Sequence, residues 1–223
     1  MRVSLLIFLT VLALADRAAA ADDAMVTSYQ LYSKGLRVGT VRTERSRVVT
    51  NGAEAIRCEV VTRVHVNLLI LRHDLEGREV YISNGSGPIE YRNTKRENGA
   101  TMDVAGVRGE GVFRFVIAEG GAVRTNEFLD ADYDAVSMDG PELALGGLGQ
   151  TKSLRILDMG AAEVVDRTYT WAKNDEGFRV IEFSDRNKTA RRWVRADAMG
   201  MLIARQDGRD RAGSYSMRMT NDQ

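Results

Sequence analysis

The feature that most constrains the fold is a strict alternation of residue types over positions 56–70. Every even position holds an apolar residue or threonine: Ile56, Cys58, Val60, Thr62, Val64, Val66, Leu68 and Ile70. Most of the odd positions between them are polar. A period of two indicates one extended strand with a dry face and a wet face. At ~3.3 Å per residue this strand would be roughly 50 Å long, and strands of that length typically bend around a barrel or a deeply curved sheet.

Tight-turn sequences recur along the chain and separate further strand-like runs. They include Asn51-Gly52, Asn98-Gly99, residues 174–177 and Asp207-Gly208. Such pairs supply the positive φ angles that two-residue hairpins need. The sequence shows no internal repeat and no linker. We therefore expect residues 21–223 to form a single all-β domain, an antiparallel curved sheet, half-barrel or barrel of about ten strands.

One segment, residues 128–160, departs from this rhythm. It is rich in aspartate and glycine, and Pro141 opens a short run of leucine and alanine. Proline at the first position of a helix is favourable, so the run predicts one or two helical turns. Long excursions inside a β domain often act as lids or plugs. A simple cap at one end of the sheet is the other interpretation.

The first twenty residues have the pattern of a secretory signal peptide. Arg2 is followed by an apolar run over residues 3–15, and Ala18-Ala19-Ala20 offers small residues for cleavage. The run is shorter than the ~20 residues that a membrane-spanning helix needs. We therefore expect an exported chain that does not span a membrane. Sparse aromatic residues and crowded arginines on one predicted strand also disfavour a lipid-facing barrel.

Charge and cysteine content exclude some partners and some modes of stabilisation. Removal of residues 1–20 leaves 29 basic and 30 acidic residues, and this balance argues against nucleic acid as a partner. Cys58 is the only cysteine, so no internal disulfide can form. Its position on the dry face of the long strand predicts a small buried hydrophobe.

Histidine offers little evidence of catalysis or metal binding. His65 and His73 are the only two histidines, and a separation of eight residues along one strand would hold them roughly 26 Å apart. A catalytic His73 with Asp74 or Glu76 is the weakest of the functional interpretations, since no nucleophile motif accompanies it. No metal or cofactor is indicated, and we do not expect an enzyme.

The apolar faces of several predicted strands should converge inside a curved sheet. If the interior is filled, these residues form the core, and if it is hollow they line an apolar pocket. The candidate ligand-binding residues are Val60, Val64, Val66, Leu68, Phe113, Phe115, Trp171, Tyr215 and Met217. Methionines on the last predicted hairpin suit either a core or a cavity for variable acyl chains.

Two short stretches resemble a known type of exported domain. Tyr32-Ser33-Lys34-Gly35-Leu36-Arg37-Val38-Gly39 resembles the opening strand and turn of exported bacterial domains of unknown function. The stretch 193–202 (Trp-Val-Arg-Ala-Asp-Ala-Met-Gly-Met-Leu) resembles their closing hairpin. Those domains are similar in build to the lipoprotein carriers LolA and LolB. The resemblance implies a curved sheet around an apolar cavity and a Gram-negative periplasmic location, and it supplies no catalytic residue.

The leading hypothesis is therefore a periplasmic β-barrel or half-barrel that binds a hydrophobic ligand, a lipid or the acyl chain of a lipoprotein, as a carrier or chaperone. The alternative is a structural or interaction protein of the cell envelope with a packed core, no ligand and an envelope protein as its partner.

Overall fold

The computed structural model describes residues 24–68, 71–210 and 213–220, without the side chains of residues 68, 71 and 72. The predicted signal peptide at 1–20 and Ile70 lie outside this part of the chain. Within it, the backbone forms fifteen strands and two short 3-10 turns, Asp130–Asp132 and Pro141–Ala144. The strands are β1 (Met25–Ser33), β2 (Leu36–Thr50), β3 (Ala53–Leu68), β4 (Leu71–Asn84), β5 (Gly87–Glu97), β6 (Ala100–Gly109), β7 (Val112–Glu119), β8 (Ala122–Leu129), β9 (Ala135–Val136), β10 (Thr151–Asp158), β11 (Glu163–Asp175), β12 (Phe178–Ser184), β13 (Lys188–Asp197), β14 (Gly200–Asp210) and β15 (Gly213–Thr220).

The long strand predicted from alternation is confirmed as β3, which is continuous from Ala53 to Leu68. It pairs with β2 on one side and β4 on the other over most of its length. Ile56, Cys58, Val60 and Thr62 all line the same interior cavity. The dry face of the sequence pattern is therefore the concave face of the sheet.

All fifteen strands belong to one open sheet, whose order is β8-β7-β6-β5-β4-β3-β2-β1-β15-β14-β13-β12-β11-β10-β9. The chain winds outward from β1 to β8, crosses to β9, and winds back to β15, which pairs with β1. Every pairing is antiparallel except the short one between β9 and β10.

The short crossing from β8 to β9 requires the sheet to curl. Laid flat, fifteen strands would be about 67 Å wide at ~4.8 Å per strand. The six residue steps from Leu129 to Ala135 can span at most about 22 Å, so the two edges must lie near each other. Asn126 on β8 indeed donates a hydrogen bond to the carbonyl of Ala162, in the turn after β10, at 3.0 Å.

These observations confirm the all-β class and the antiparallel curved sheet, and they correct the strand count to fifteen rather than about ten. Of the alternatives left open by the sequence, the sheet is open and not a closed barrel. The excursion at 128–160 contains the predicted helical turn at Pro141, in 3-10 form, and also β9 and β10, which the sequence did not predict. Among the described residues, no helix is long and apolar enough to cross a membrane.

Most of the predicted turns have the backbone geometry that their residues favour. Asn51-Gly52 and Asn98-Gly99 each have two positive φ angles, between 50° and 88°, as primed hairpin turns require. Asp207-Gly208 was wrongly predicted to be a turn, because both residues lie inside β14. A Cβ placed on Gly208 would stand 2.5 Å from the Tyr215 ring. This glycine thus permits a close cross-strand approach.

Replacement of Gly208 by alanine is expected to lower the free energy of unfolding by about 1–3 kcal/mol, because the added methyl overlaps the Tyr215 ring. Gly77 is the matched control, since it lies within β4 and its nearest neighbour to an added Cβ is 3.8 Å away. Gly77→Ala should leave stability unchanged or raise it by up to about 1 kcal/mol. Urea unfolding of both variants measures the difference. Equal stabilities for the two variants would remove the assigned role of Gly208.

Two apolar clusters fill much of the concave side. The first joins Tyr91, Phe113, Phe115 and Ile117 to residues 157–162 at the opposite edge of the sheet. Phe113 and Phe115 stack with ring centroids 4.8 Å apart. The second cluster lies against β10–β13; its buried members are Leu145, Ile156, Val165, Tyr169, Ile181, Phe183, Ala190 and Val194. The space that remains inside the sheet lies between these clusters and β1–β4.

Candidate ligand cavity

A cavity of about 790 Å³ occupies the concave side of the sheet between two walls. One wall comes from β1–β4 and includes Tyr29, Val41 and Val60. The other comes from β13–β15 and includes Ile203 and Met217. Alternate residues of each strand face this space, as the period of two requires.

Four methionines line this cavity: Met138, Met199, Met201 and Met217. Met201 and Met217 belong to the last hairpin pair, which the sequence singled out, while Met138 comes from the excursion. Unbranched thioether side chains adapt to irregular apolar shapes. This part of the wall can therefore accommodate apolar ligands of differing shape.

A buried arginine holds the mouth of the cavity together. Arg45 on β2 is 5% exposed, and its two terminal nitrogens donate to the Asp197 carboxylate at 3.0 and 2.7 Å. It also donates to the carbonyl of Met201 at 3.2 Å. Since Asp197 ends β13 and Met201 lies on β14, Arg45 ties the hairpin turn between these strands to the opposite wall. Both terminal nitrogens of Arg45 are therefore engaged by protein groups.

The deeper wall carries polar groups whose charged forms are penalised by burial. The Glu79 carboxylate accepts a hydrogen bond from the Tyr91 hydroxyl at 2.6 Å. Burial raises the pKa of Glu79, and the hydrogen bond from Tyr91 opposes this rise only in part. Burial likewise raises the pKa of the Cys58 thiol and, to about 12, that of the Tyr29 hydroxyl. These polar groups can form hydrogen bonds with the polar end of a ligand.

The excursion after β8 enters the interior and closes one side of the cavity. Pro141 and Glu142 are buried, and the Glu142 carboxylate accepts a hydrogen bond from Arg192 on β13. Arg192 also donates to Gln206, and both of these residues line the cavity. Of the two interpretations of the excursion, this geometry matches a plug more closely than an outer cap.

The nine candidate binding residues separate into different environments. Two line the cavity, Val60 and Met217. Phe113 and Phe115 are fully buried in the first apolar cluster, and Trp171 packs against the second.

Tyr215 lies over Gly208, and its hydroxyl accepts a hydrogen bond from Gln206 at 2.7 Å. Val64 borders a separate depression at the far end of β3, and Val66 is half-buried. The side chain of Leu68 lies outside the described part.

The two histidines lie closer together than they would on one uninterrupted strand. The chain reverses between β3 and β4, and these strands pair antiparallel with Val66 opposite His73. His65 hydrogen-bonds to Asp74 on the facing strand. His73 points to the opposite face from Asp74 and Glu76, since residues at odd and even positions alternate, and it approaches Asn98 and Glu97 instead. The structure does not bring His73 together with Asp74 or Glu76 as a catalytic pair.

The sequence interpretation missed the charged residues of the interior. Arg45, Glu79, Glu142 and Arg192 lie on strands or turns with many other charged residues. Only Arg45 carries a local signal, because it interrupts an alternation that otherwise places Val41 and Thr43 inward. The inward position of Glu79 follows from its pairing with Val60, which the sequence alone does not show.

Comparison with known proteins adds no relative: no family model, curated protein or solved structure matches the chain. The resemblance to exported LolA-like and LolB-like domains therefore stays a prediction from two short stretches.

Proposed function

We propose that this protein binds an elongated amphipathic ligand, such as a lipid or the acyl chain of a lipoprotein, in the concave cavity and acts as a carrier. The cavity is the observation that carries the proposal. Its volume of about 790 Å³ lies within the roughly 300–1,000 Å³ common to small-molecule sites. Its wall combines methionine and aliphatic side chains with a few polar groups, as such sites usually do.

The arrangement of groups offers a place for each part of such a ligand. The apolar part would contact Val60, Met201 and Met217, and the polar end would reach either Glu79 or the exposed residues at the mouth. Arg47 and Glu54 are exposed residues at that mouth. A carrier location in the periplasm rests on the predicted signal peptide and on the family resemblance.

The alternative is an interaction protein with a packed core, and the two apolar clusters that fill the rest of the interior support it. This alternative predicts that the concave cavity holds only water. Mass spectrometry of organic extracts from natively purified protein separates the two functions. Stoichiometric lipid supports the carrier, and its absence together with a stable envelope-protein complex supports the alternative.

Filling the cavity should block binding without unfolding the chain. Val60→Trp is expected to weaken binding of a fluorescent fatty-acid probe at least tenfold, because the indole would occupy the space between the two walls. Val107→Trp is the matched control, since Val107 is 57% exposed and lies on β6. Fluorescence titration of both variants measures the effect, with circular dichroism to verify folding. Unchanged probe affinity in a folded Val60→Trp protein would contradict a ligand site in the cavity.

A further inference from the structure

A second concavity of about 890 Å³ lies on the convex side of the sheet. It crosses β11, β12, β13, β14, β15 and β1, about 24 Å at ~4.8 Å per strand. Two rows of outward side chains form its walls, and the inward-facing residues between them form its floor. The first row is Thr168, Ser184, Thr189, Arg209 and Ser214, and the second is Glu182, Arg191, Asp207, Ser216 and Tyr32. We call this concavity the outer groove.

The outer groove is strongly cationic although the whole chain has a formal net charge of zero. Its lining residues include five cations and two carboxylates. The cations are Lys34, Arg191, Arg205, Arg209 and Arg218, and the carboxylates are Glu182 and Asp207. The excess of three positive charges lies on the adjacent strands β12–β15 and in the turn after β1.

The two carboxylates neutralise only two of these cations. Arg191 donates from Nε to Glu182 at 2.9 Å, and Arg205 pairs with Asp207 at 2.5 Å. Although burial opposes it, hydrogen bonds from Arg205 and Ser216 lower the pKa of Asp207. Both carboxylates are thus committed to neighbours inside the groove.

The remaining cations are available to a ligand. Lys34, Arg209 and Arg218 are exposed, and within the described ranges none of the three forms an ion pair. Arg218 acts on Asp207 only through its charge, which helps to lower the pKa of that carboxyl. The Arg218 guanidinium lies 5.5 Å from the centre of the Tyr32 ring, which holds it above the groove. The Arg205 Nε atom is buried and has no hydrogen-bond partner.

The neutral side chains of the groove narrow the class of ligand. Five serine and threonine hydroxyls line it. Those of Thr168 and Ser216 already hydrogen-bond to Ser153 and Asp207, whereas Ser184, Thr189 and Ser214 are exposed. Hydroxyl groups exchange hydrogen bonds with sugar hydroxyls, and guanidinium groups bind carboxylate, sulfate or phosphate oxygens. We propose that the outer groove binds an acidic polysaccharide, with Lys34, Arg209 and Arg218 contacting its anionic groups and Ser184, Thr189 and Ser214 contacting its hydroxyls.

The test uses the full mature chain and polygalacturonate as the probe, with neutral dextran and double-stranded DNA as comparisons. Isothermal titration calorimetry should show binding to polygalacturonate that weakens as salt rises, since exposed charges are screened. Neutral dextran should show none, and DNA should bind at least tenfold more weakly. Equal affinity for DNA would overturn the assignment to polysaccharide, and binding of neutral dextran would overturn the role of charge.

Charge reversal locates the site on the protein. The double variant Arg209→Glu with Arg218→Glu should reduce affinity for polygalacturonate at least tenfold. Arg92→Glu with Arg124→Glu is the matched control, because both residues are exposed and lie outside the groove on β5 and β8. Equal losses in the two double variants would overturn the proposal. Val60→Trp should leave this binding intact, so failure of the lipid-carrier proposal and failure of this one are distinguishable.

Discussion

Replacement of Arg167 by methionine is expected to lower the free energy of unfolding by about 3–5 kcal/mol, the cost of breaking a buried ion pair from one side. The Arg167 side chain is 2% exposed and pairs with Asp185, which is 1% exposed, at 2.7 Å. A second nitrogen of Arg167 reaches Asp158 at 3.2 Å. Methionine fills a similar volume but leaves the Asp185 charge buried without its partner. The network also joins the ends of β10 and β12, so its loss loosens that end of the sheet.

Urea unfolding at neutral pH measures this loss, and an exposed ion pair supplies the control. Arg191 pairs with Glu182 with both side chains about half exposed, 52% and 44%. Exposed pairs contribute little, so Arg191→Met should change stability by no more than about 1 kcal/mol. If Arg167→Met proves as mild as Arg191→Met, the buried network is not a determinant of the fold.

The stabilisation from Asp185 should also depend on pH in a defined direction. Burial acts to raise its pKa, but the backbone N–H of Asn187 and the Arg167 guanidinium outweigh it and lower the pKa. A carboxyl with a lowered folded pKa contributes fully above its unfolded value of ~3.9 and loses that contribution as pH falls below it. The stability difference between wild type and Arg167→Met should therefore shrink below about pH 4.

Local periodicity sufficed to predict the strands that have one clearly wet and one clearly dry face. Strand β3 is the clearest case, and the Asn-Gly turns at 51–52 and 98–99 fixed the hairpins around it. Strands without such contrast were missed. Strand β4 (Leu71–Asn84) mixes charge and apolarity on both faces, and β10 (Thr151–Asp158) lies in a glycine-rich excursion.

Gly208 illustrates a different limit of sequence interpretation. An Asp-Gly pair predicts a turn because glycine tolerates positive φ. Glycine also lacks a side chain, so an aromatic ring from a neighbouring strand can pack directly against its backbone. The second reason applies here, since Tyr215 covers Gly208 from the adjacent strand. Which reason holds depends on a residue that only the pairing of β14 with β15 brings near.

From the sequence alone, the interior of the sheet could be predicted only to be either packed with side chains or hollow. Val60 and Phe113 have the same alternating environment in sequence, yet Val60 lines open space and Phe113 is fully buried. The difference comes from the wall opposite each residue. Arg45 meets Asp197 across 152 positions of sequence, a contact set by the curl of the sheet and not by local pattern.

Replacement of Arg192 by methionine is the second change for which we expect a large loss, about 3–5 kcal/mol. Glu142 is fully buried at 0% exposure. One of its carboxylate oxygens accepts a hydrogen bond from Arg192, and the other has no hydrogen-bond partner. Without Arg192 the carboxylate has no cation to offset its desolvation. Because Glu142 lies in the plug-like excursion, we expect limited proteolysis to cut residues 137–150 much faster in this variant.

The companion variant Arg192→Met with Glu142→Gln separates charge from packing. Both variants lose the hydrogen bond from Arg192 to Gln206 and the contact of its guanidinium with Phe183, 4.7 Å from the ring centre. Only the single variant retains a stranded carboxylate, so the double variant should be the more stable of the two at neutral pH. Equal stability of the two variants at neutral pH would mean that Arg192 holds the excursion by packing, and the ion pair would then not be what keeps that side of the cavity closed.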